Sequence, residues 1–197
     1  MSLASVLSSW LRRLTAPPVP LRLRYARRAR PLAAIAAGIV AAAVFVVLYY
    51  ATLGLLPWAF AYPTTDWPTP TWTHRLDLAQ FLGSFLHPPY PTPFTWVLGL
   101  IVLFGSLVGL ALVYAVLLSW TLQASDVVKG LGFGLAAGLG LAAFISIANG
   151  LHPAIMRNTL PDTGLLLLGW SNWAPVQLLL VHATYGAVLG HLYRTRP

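Results

Sequence analysis

Long apolar stretches alternate with shorter polar ones along this chain. No Asp, Glu, Lys or Arg occurs between Pro31 and Thr65, between Leu78 and Ser125, between Gly130 and Met156, or between Thr163 and Tyr193. A helix needs about 20 apolar residues to cross a hydrocarbon core. The four windows therefore predict four spans, over residues 32–56, 95–119, 128–149 and 173–193. The last window is longer than one span. Ser171-Asn172 reads as a helix cap with Pro175 in the first turn, where proline is tolerated. The span then starts at Trp173, and residues 163–170 form a short interfacial or partly re-entrant piece. Ala59-Phe60-Ala61 resembles a signal-peptide cleavage site, but the apolar run before it exceeds the 7–15 residues of a signal core. It is expected to stay as an anchor.

Within the third span Gly130, Gly134, Gly138, Ala142, Ser146 and Gly150 recur every four residues. Residues four apart share a helix face, so this is a groove of small side chains. Helices in lipid gain no water-driven attraction, and small residues let backbones approach and make dispersion contacts. Shorter versions occur at Ala34, Gly38 and Ala42, at Gly105 and Gly109, and at Gly186 and Gly190. The expectation is a tight four-helix bundle, with this seam packing the helices or seating another subunit, a lipid tail or a pigment.

The connecting segments are also patterned. Residues 57–94 open with PWAFAYPTTDWPTPTW and close with HPPYPTP, where proline forbids regular ladders. Between them, RLDLAQFLGSFL puts Leu78, Phe81, Leu82, Phe85 and Leu86 on one face and Asp77, Gln80 and Ser84 on another. That predicts a short helix on the membrane interface or capping the bundle. Trp58, Trp67, Trp72, Trp96, Trp170 and Trp173 fall at one membrane boundary and Trp10 and Trp120 at the other, as an aromatic belt does. Residues 2–15 place Leu3, Val6, Leu7, Trp10, Leu11 and Leu14 at helical spacing, which predicts an amphipathic interfacial helix.

Composition agrees with the pattern. The 197 residues are 58% hydrophobic and 8% charged, against roughly a quarter charged in soluble domains. The formal charge of +8 reads as topology and not as nucleic-acid binding. Arg12, Arg13, Arg22, Arg24, Arg27, Arg28 and Arg30 precede the first span, and positive residues stay cytoplasmic. Both termini are then cytoplasmic, with residues 57–94 and 150–172 on the outer face of a bacterial plasma membrane. The arginines would meet anionic headgroups or an acidic partner, at about 1 kcal/mol per residue near such a surface. The organisation is an arm over residues 1–30, a four-helix membrane domain over 31–194 and a tail over 195–197.

Candidate chemistry is sparse. With no cysteine, disulfides, thiolate zinc sites and iron–sulfur clusters are excluded. There is no H-E-x-x-H, G-x-S-x-G or phosphate-binding loop, and no acid falls inside a span. His182 is the histidine nearest the middle of a span, on the Gly186/Gly190 side. It is an interhelical hydrogen-bonding group, a ligand to haem or chlorin, or part of a proton relay. His191 is expected near the cytoplasmic surface, with Tyr193 and Arg194 anchoring that end in the headgroups. Arg157, Asn158 and Asp162, with His152 nearby, read as a loop-folding salt-bridge set. No metal is expected.

Three elements together resemble a known family. They are Lys129-Gly130-Leu131-Gly132-Phe133-Gly134 with the small-residue span that follows, His182-x-x-x-Gly186-x-x-x-Gly190-x-x-Tyr193, and the stretch from Asp77 to Ser84. They are similar to an uncharacterised bacterial family of four-helix integral membrane proteins, grouped as a domain of unknown function. The resemblance covers residues 32–194 and implies a fold but no activity. Gly105-x-x-x-Gly109 lacks a histidine sometimes found there. The repeated element also suggests a duplication of two helical hairpins. The functional expectation is a non-catalytic accessory subunit of a larger membrane complex, of the respiratory or photosynthetic electron-transport kind, with bound lipids. The alternatives are a small carrier or channel and a haem- or chlorin-binding protein using His182.

Overall fold

The computed structural model describes residues 30–56, 77–87, 92–118 and 125–193. The arginine-rich arm, apart from Arg30, lies outside them. So do Trp10, Trp58, Trp67, Trp72, Trp120, the first proline-rich stretch and Arg194. The described residues are helical without strands: α1 (Pro31–Leu55), α2 (Leu78–Leu86), α3 (Pro93–Leu118), α4 (Asp126–Asn149), a single turn α5 (Pro153–Met156), a 3-10 turn (Leu165–Leu167) and α6 (Ala174–Leu192). The four long helices match the expected spans to within two residues at each end. Of these, α1, α3 and α4 are long and apolar enough to cross a membrane.

The long helices stand side by side in the order α4, α6, α1, α3, while α3 and α4 make little direct contact. The end at which α1 finishes and α3 begins is called distal below, and the other end proximal. Because α6 lies between α4 and α1, two of its polar residues are enclosed by protein: Gln177 and His182 are both buried. The core runs through Phe45, Leu107, Tyr114, Ile145, Tyr185 and Leu189, all almost fully enclosed.

Local sequence explains how the helices approach. On α1, Ala34, Gly38, Ala41 and Ala42 form the buried edge, and a Cβ on Gly38 would come 2.6 Å from Ala111 Cβ of α3. α4 starts at Ser125, whose Oγ accepts the Val128 amide. α6 starts one residue later than the sequence suggests. Its N-cap is Trp173, without a side-chain cap bond, and Ser171 Oγ accepts the Trp173 amide from the turn before it, at 3.1 Å.

The short helix α2, expected on the membrane interface or capping the bundle, is packed against the bundle's distal end. Asp77 caps it by accepting the Ala79 amide at 2.8 Å. Leu78, Ala79, Gln80, Phe81, Gly83 and Ser84 are buried, and it is Leu86 that is exposed. α2 runs antiparallel along the start of α3. A Cβ on Gly83 would overlap the Thr95 carbonyl, and one on Gly99 would overlap the Ala79 carbonyl. The two backbones touch at a glycine crossing, so α2 is built into the bundle and does not float beside it. The face carrying Gln80 and Ser84 points inward because both side chains have partners there.

The segment between α4 and α6 is folded back on α4. Gly164 has φ 65°, a conformation glycine adopts without a steric penalty, and the Gly169 amide returns to the Thr163 carbonyl at 2.9 Å. Leu166 and Leu167 also have positive φ, 52° and 70°, uncommon for leucine. Two contacts hold them: the Leu166 amide donates to Ser146 Oγ at 2.7 Å, and the Leu167 side chain is buried in the core.

Candidate functional site

The expected seam is present between α4 and α6, and it is filled by this chain itself. A Cβ on Gly130 would overlap the Gly186 carbonyl oxygen, one on Gly134 the His182 carbonyl oxygen, and one on Gly190 the Asp126 carbonyl oxygen. A Cβ on Gly138 would come 3.0 Å from His182 Cβ. The two helices therefore pack backbone to backbone, and no partner helix can use this groove. The seam is shorter than the spacing suggests. Ala142 is buried, but Ser146 turns to Leu166, and Gly150 faces open space. Gly105 and Gly109 also face open space, so this pair packs against no described helix of the chain. Leu107 and Ala111 pack there instead.

His182 lies where the seam meets the core. It is 1% exposed, with Nδ1 2.8 Å from the Leu178 carbonyl of its own helix and its ring edge-on to Phe45, centroids 4.8 Å apart. A carbonyl accepts only from a protonated nitrogen, so Nδ1 carries the hydrogen and Nε2 the lone pair. The neighbouring Tyr185 donates to the Leu107 carbonyl at 2.6 Å and ties α6 to α3. His182→Gln is expected to lose about 1 kcal/mol, the net worth of one hydrogen bond, and to leave the bundle assembled. Thermal unfolding of the purified variant checks this. An intact bundle that has lost a visible absorption band would instead make His182 a ligand.

A second concentration of polar groups lies at the distal end, around α2. Asp77 accepts three donors: the Tyr50 hydroxyl at 2.7 Å, the Trp96 indole N–H and the Ala79 amide. Tyr49 Oη accepts the Leu78 amide at 3.1 Å. Gln177 Nε2 donates to the Tyr49 carbonyl and to Thr52 Oγ1, at 3.1 and 2.6 Å. One carboxylate and one carboxamide thus join α1, α2, α3 and α6. Burial raises the Asp77 carboxyl above its ordinary value, outweighing the hydrogen bonds that pull it down. Further along α2, Thr95 Oγ1 donates to Gln80 Oε1 at 2.8 Å, and Gln80 Nε2 donates to the Thr92 carbonyl at 3.2 Å.

Comparison with protein families, with curated proteins and with solved structures finds no match. The site must be read from its own geometry.

That geometry argues against acid–base catalysis at the Ser84/His152 contact. His152 Nε2 lies 3.4 Å from Ser84 Oγ and 2.9 Å from the Phe81 carbonyl. Nδ1 accepts the Ala154 amide, so the proton sits on Nε2, which cannot take another from serine. Ser84 itself donates to the Gln80 carbonyl at 2.6 Å.

Several expectations are corrected here. The salt-bridge set around Arg157 does not form. Asp162 Oδ1 accepts from Asn149 Nδ2 at 2.7 Å and from the Gly164 amide at 2.6 Å, and Arg157 is exposed. Among the described residues the ion pair is Lys129–Asp126, 3.7 Å apart on the first turn of α4, and such partly exposed pairs stabilise little. Trp170, expected at a membrane boundary, is buried against Phe81. Tyr193 is buried too, accepting the Arg30 amide at 3.1 Å, while His191 is exposed. The sequence reading missed Asp77, Tyr50, Trp96 and His152 as a group. Its available signal was the i, i+3, i+7 recurrence of Asp77, Gln80 and Ser84 in an otherwise apolar helix.

Proposed function

We propose that the chain is a four-helix integral membrane protein with α6 as the fourth span, serving as a non-catalytic accessory subunit of a larger membrane complex. At 1.5 Å per residue the 19 residues of α6 cover about 28 Å, close to the roughly 30 Å of a hydrocarbon core. Its lower apolarity follows from its enclosure, since Gln177 and His182 face protein. The run of arginines before α1 supports cytoplasmic termini in a bacterial plasma membrane.

The observation that carries the accessory reading is where the buried polar groups are spent. Asp77, Gln177 and Tyr185 each tie one helix to another, and His182 bonds its own helix. These are groups that hold a scaffold. With the α4 groove filled by α6, a partner helix would meet the outward face of α4, where Gly132, Ala136 and Gly140 are exposed. Lipid acyl chains and anionic headgroups complete the surroundings.

Extraction in a mild detergent followed by mass determination tests the reading. The chain is expected in a stoichiometric complex with other membrane subunits, and an electron-transport complex is the expected host. Recovery of the chain alone, with ion or solute flux in liposomes, would favour a carrier instead. Reporter fusions at Met1, Asp66, Ala124, Leu160 and Pro197 are expected to read cytoplasmic, outside, cytoplasmic, outside and cytoplasmic. A cytoplasmic signal at Asp66 would overturn the topology.

A further inference from the structure

The helices α3 and α4 make little direct contact along their length, and three side chains link them directly, through α6 or through their attached segments. Tyr185 from α6 reaches the Leu107 carbonyl in the middle. At the proximal end Tyr114 of α3 donates to the Asp126 carbonyl at 3.2 Å and packs on Phe133 of α4. At the distal end the bridge is His152. It follows α4 directly, and its ring lies against Phe81 and Phe85 of α2, with centroids 4.5 and 4.2 Å away. α2 in turn is fixed to α3 by the glycine crossing.

We propose that His152 is a proton-operated clasp between α2 and the segment after α4, closed when the imidazole is neutral and opened when it is protonated. The geometry demands the neutral form. Nε2–H donates to the Phe81 carbonyl, and Nδ1 receives the Ala154 amide at 3.2 Å, capping α5. An imidazolium has two N–H donors and no acceptor. A second proton can go only on Nδ1, where it meets the Ala154 N–H head-on and removes the cap.

No described neighbour compensates the charge. The α2 residues around the ring are Phe81, Ser84 and Phe85. From the other side come the backbone of α5 and, beyond Phe81, Trp170. The nearby titratable groups of that segment are Asp162, whose Oδ1 is bound to Asn149 and Gly164, and Arg157, which is exposed and would repel. The ring is fully enclosed, 0% exposed, so water cannot solvate the cation without the clasp opening. Burial lowers the His152 pKa below its ordinary 6.5. The closed state thus binds its proton more weakly than the open one. Closure is fully favoured above 6.5 and is lost as the pH falls through the lowered value.

The test uses the absence of cysteine from the chain. Leu86 at the end of α2 and Met156 at the end of α5 are exposed, 60% and 70%, and both can be replaced by spin-labelled cysteine in the full-length protein. The distance distribution between the labels is expected to be narrow at about pH 7.5 and longer and broader at about pH 5, within the range in which histidine switches. The same pair in a His152→Asn background, which keeps a capping oxygen but cannot titrate, is expected to show no lengthening at the lower pH. A wild-type distribution unchanged across that range, or a lengthening at low pH that survives in His152→Asn, overturns the proposal. Nitrogen NMR of labelled histidine in the unmutated protein gives an independent check. The Nε2–H tautomer is expected for His152 at neutral pH, and finding Nδ1–H would overturn the proposal whatever the variant does.

Discussion

Gly134→Leu is expected to break the pairing of α4 with α6 and to leave little correctly packed protein. A Cβ at this position already overlaps the His182 carbonyl oxygen and would stand 3.1 Å from the Gly186 Cα. These are backbone atoms of a buried helix and cannot rotate aside. Forcing extra methylenes into a packed core costs about 1–3 kcal/mol and occasionally more. With backbone as the obstacle, the upper end of that range or beyond is expected. Gly186→Leu should behave the same way, because its Cβ would overlap the Gly130 carbonyl from the other side. Gly132→Ala and Gly140→Ala are the controls. Both positions face open space, and alanine in place of helical glycine gains about 0.5–1 kcal/mol. Thermal unfolding and gel filtration in detergent read the contrast. Equal tolerance at positions 132 and 134 would show that the helices do not pack through this face.

That contrast also shows how far sequence alone could reach. The four apolar windows located the long helices, because a long uncharged run in apolar surroundings must satisfy its backbone hydrogen bonds internally, and a helix does so within one segment. The four-residue recurrence of Gly130, Gly134 and Gly138 identified a shared face, since helical periodicity is set by backbone geometry. Periodicity does not say what lies opposite. Gly105 and Gly109 have the same spacing and face open space, while Gly186 and Gly190 meet a helix with complementary glycines. In lipid the usual guide is missing, because the inside and the outside of the bundle are both apolar. The same ambiguity hid the site around α2. Asp77, Gln80 and Ser84 read as the polar face of a helix on the interface or capping the bundle, and choosing between the two needs the knowledge that Tyr50, Trp96, Thr95 and His152 come round to meet them. Those contacts join residues far apart in the chain, and no local pattern encodes them. The two left-handed leucines were equally invisible, because leucine carries no local preference for that conformation and only the Ser146 contact and the burial of Leu167 hold it.

Asp77→Ala is expected to have the next largest effect and to loosen α2 from the bundle. The substitution removes the N-cap of α2, worth about 1 kcal/mol. It also strands the Tyr50 hydroxyl and the Trp96 indole N–H, both now paired with the carboxylate. A buried donor left without a partner costs about 1–3 kcal/mol. Trp96 can fall back on Tyr50, whose Oη is 3.1 Å from its Nε1, so the losses do not simply add. A total of about 3 kcal/mol follows from the cap plus one stranded donor. Asp77→Asn should fall between wild type and alanine. Its carbonyl oxygen still accepts from Ala79 and Tyr50, but its NH2 group meets the Trp96 N–H donor to donor. The asparagine variant also isolates the pH effect. Burial raises the Asp77 carboxyl above 3.8, so the folded state holds this proton more tightly than the unfolded chain. Stability from Asp77 is therefore complete below 3.8 and declines as the pH rises through the raised value, a slope opposite to that of His152. Thermal midpoints of wild type and Asp77→Asn between about pH 4 and pH 8 read this difference, since that span covers the ordinary range of a carboxyl and of a histidine. The wild type should lose stability relative to the asparagine variant as the pH rises. If Asp77→Ala unfolds within about 0.5 kcal/mol of wild type, the range of an ordinary surface substitution, then the carboxylate is not the junction of α1, α2 and α3, and α2 is held by its glycine crossing and its remaining hydrogen bonds.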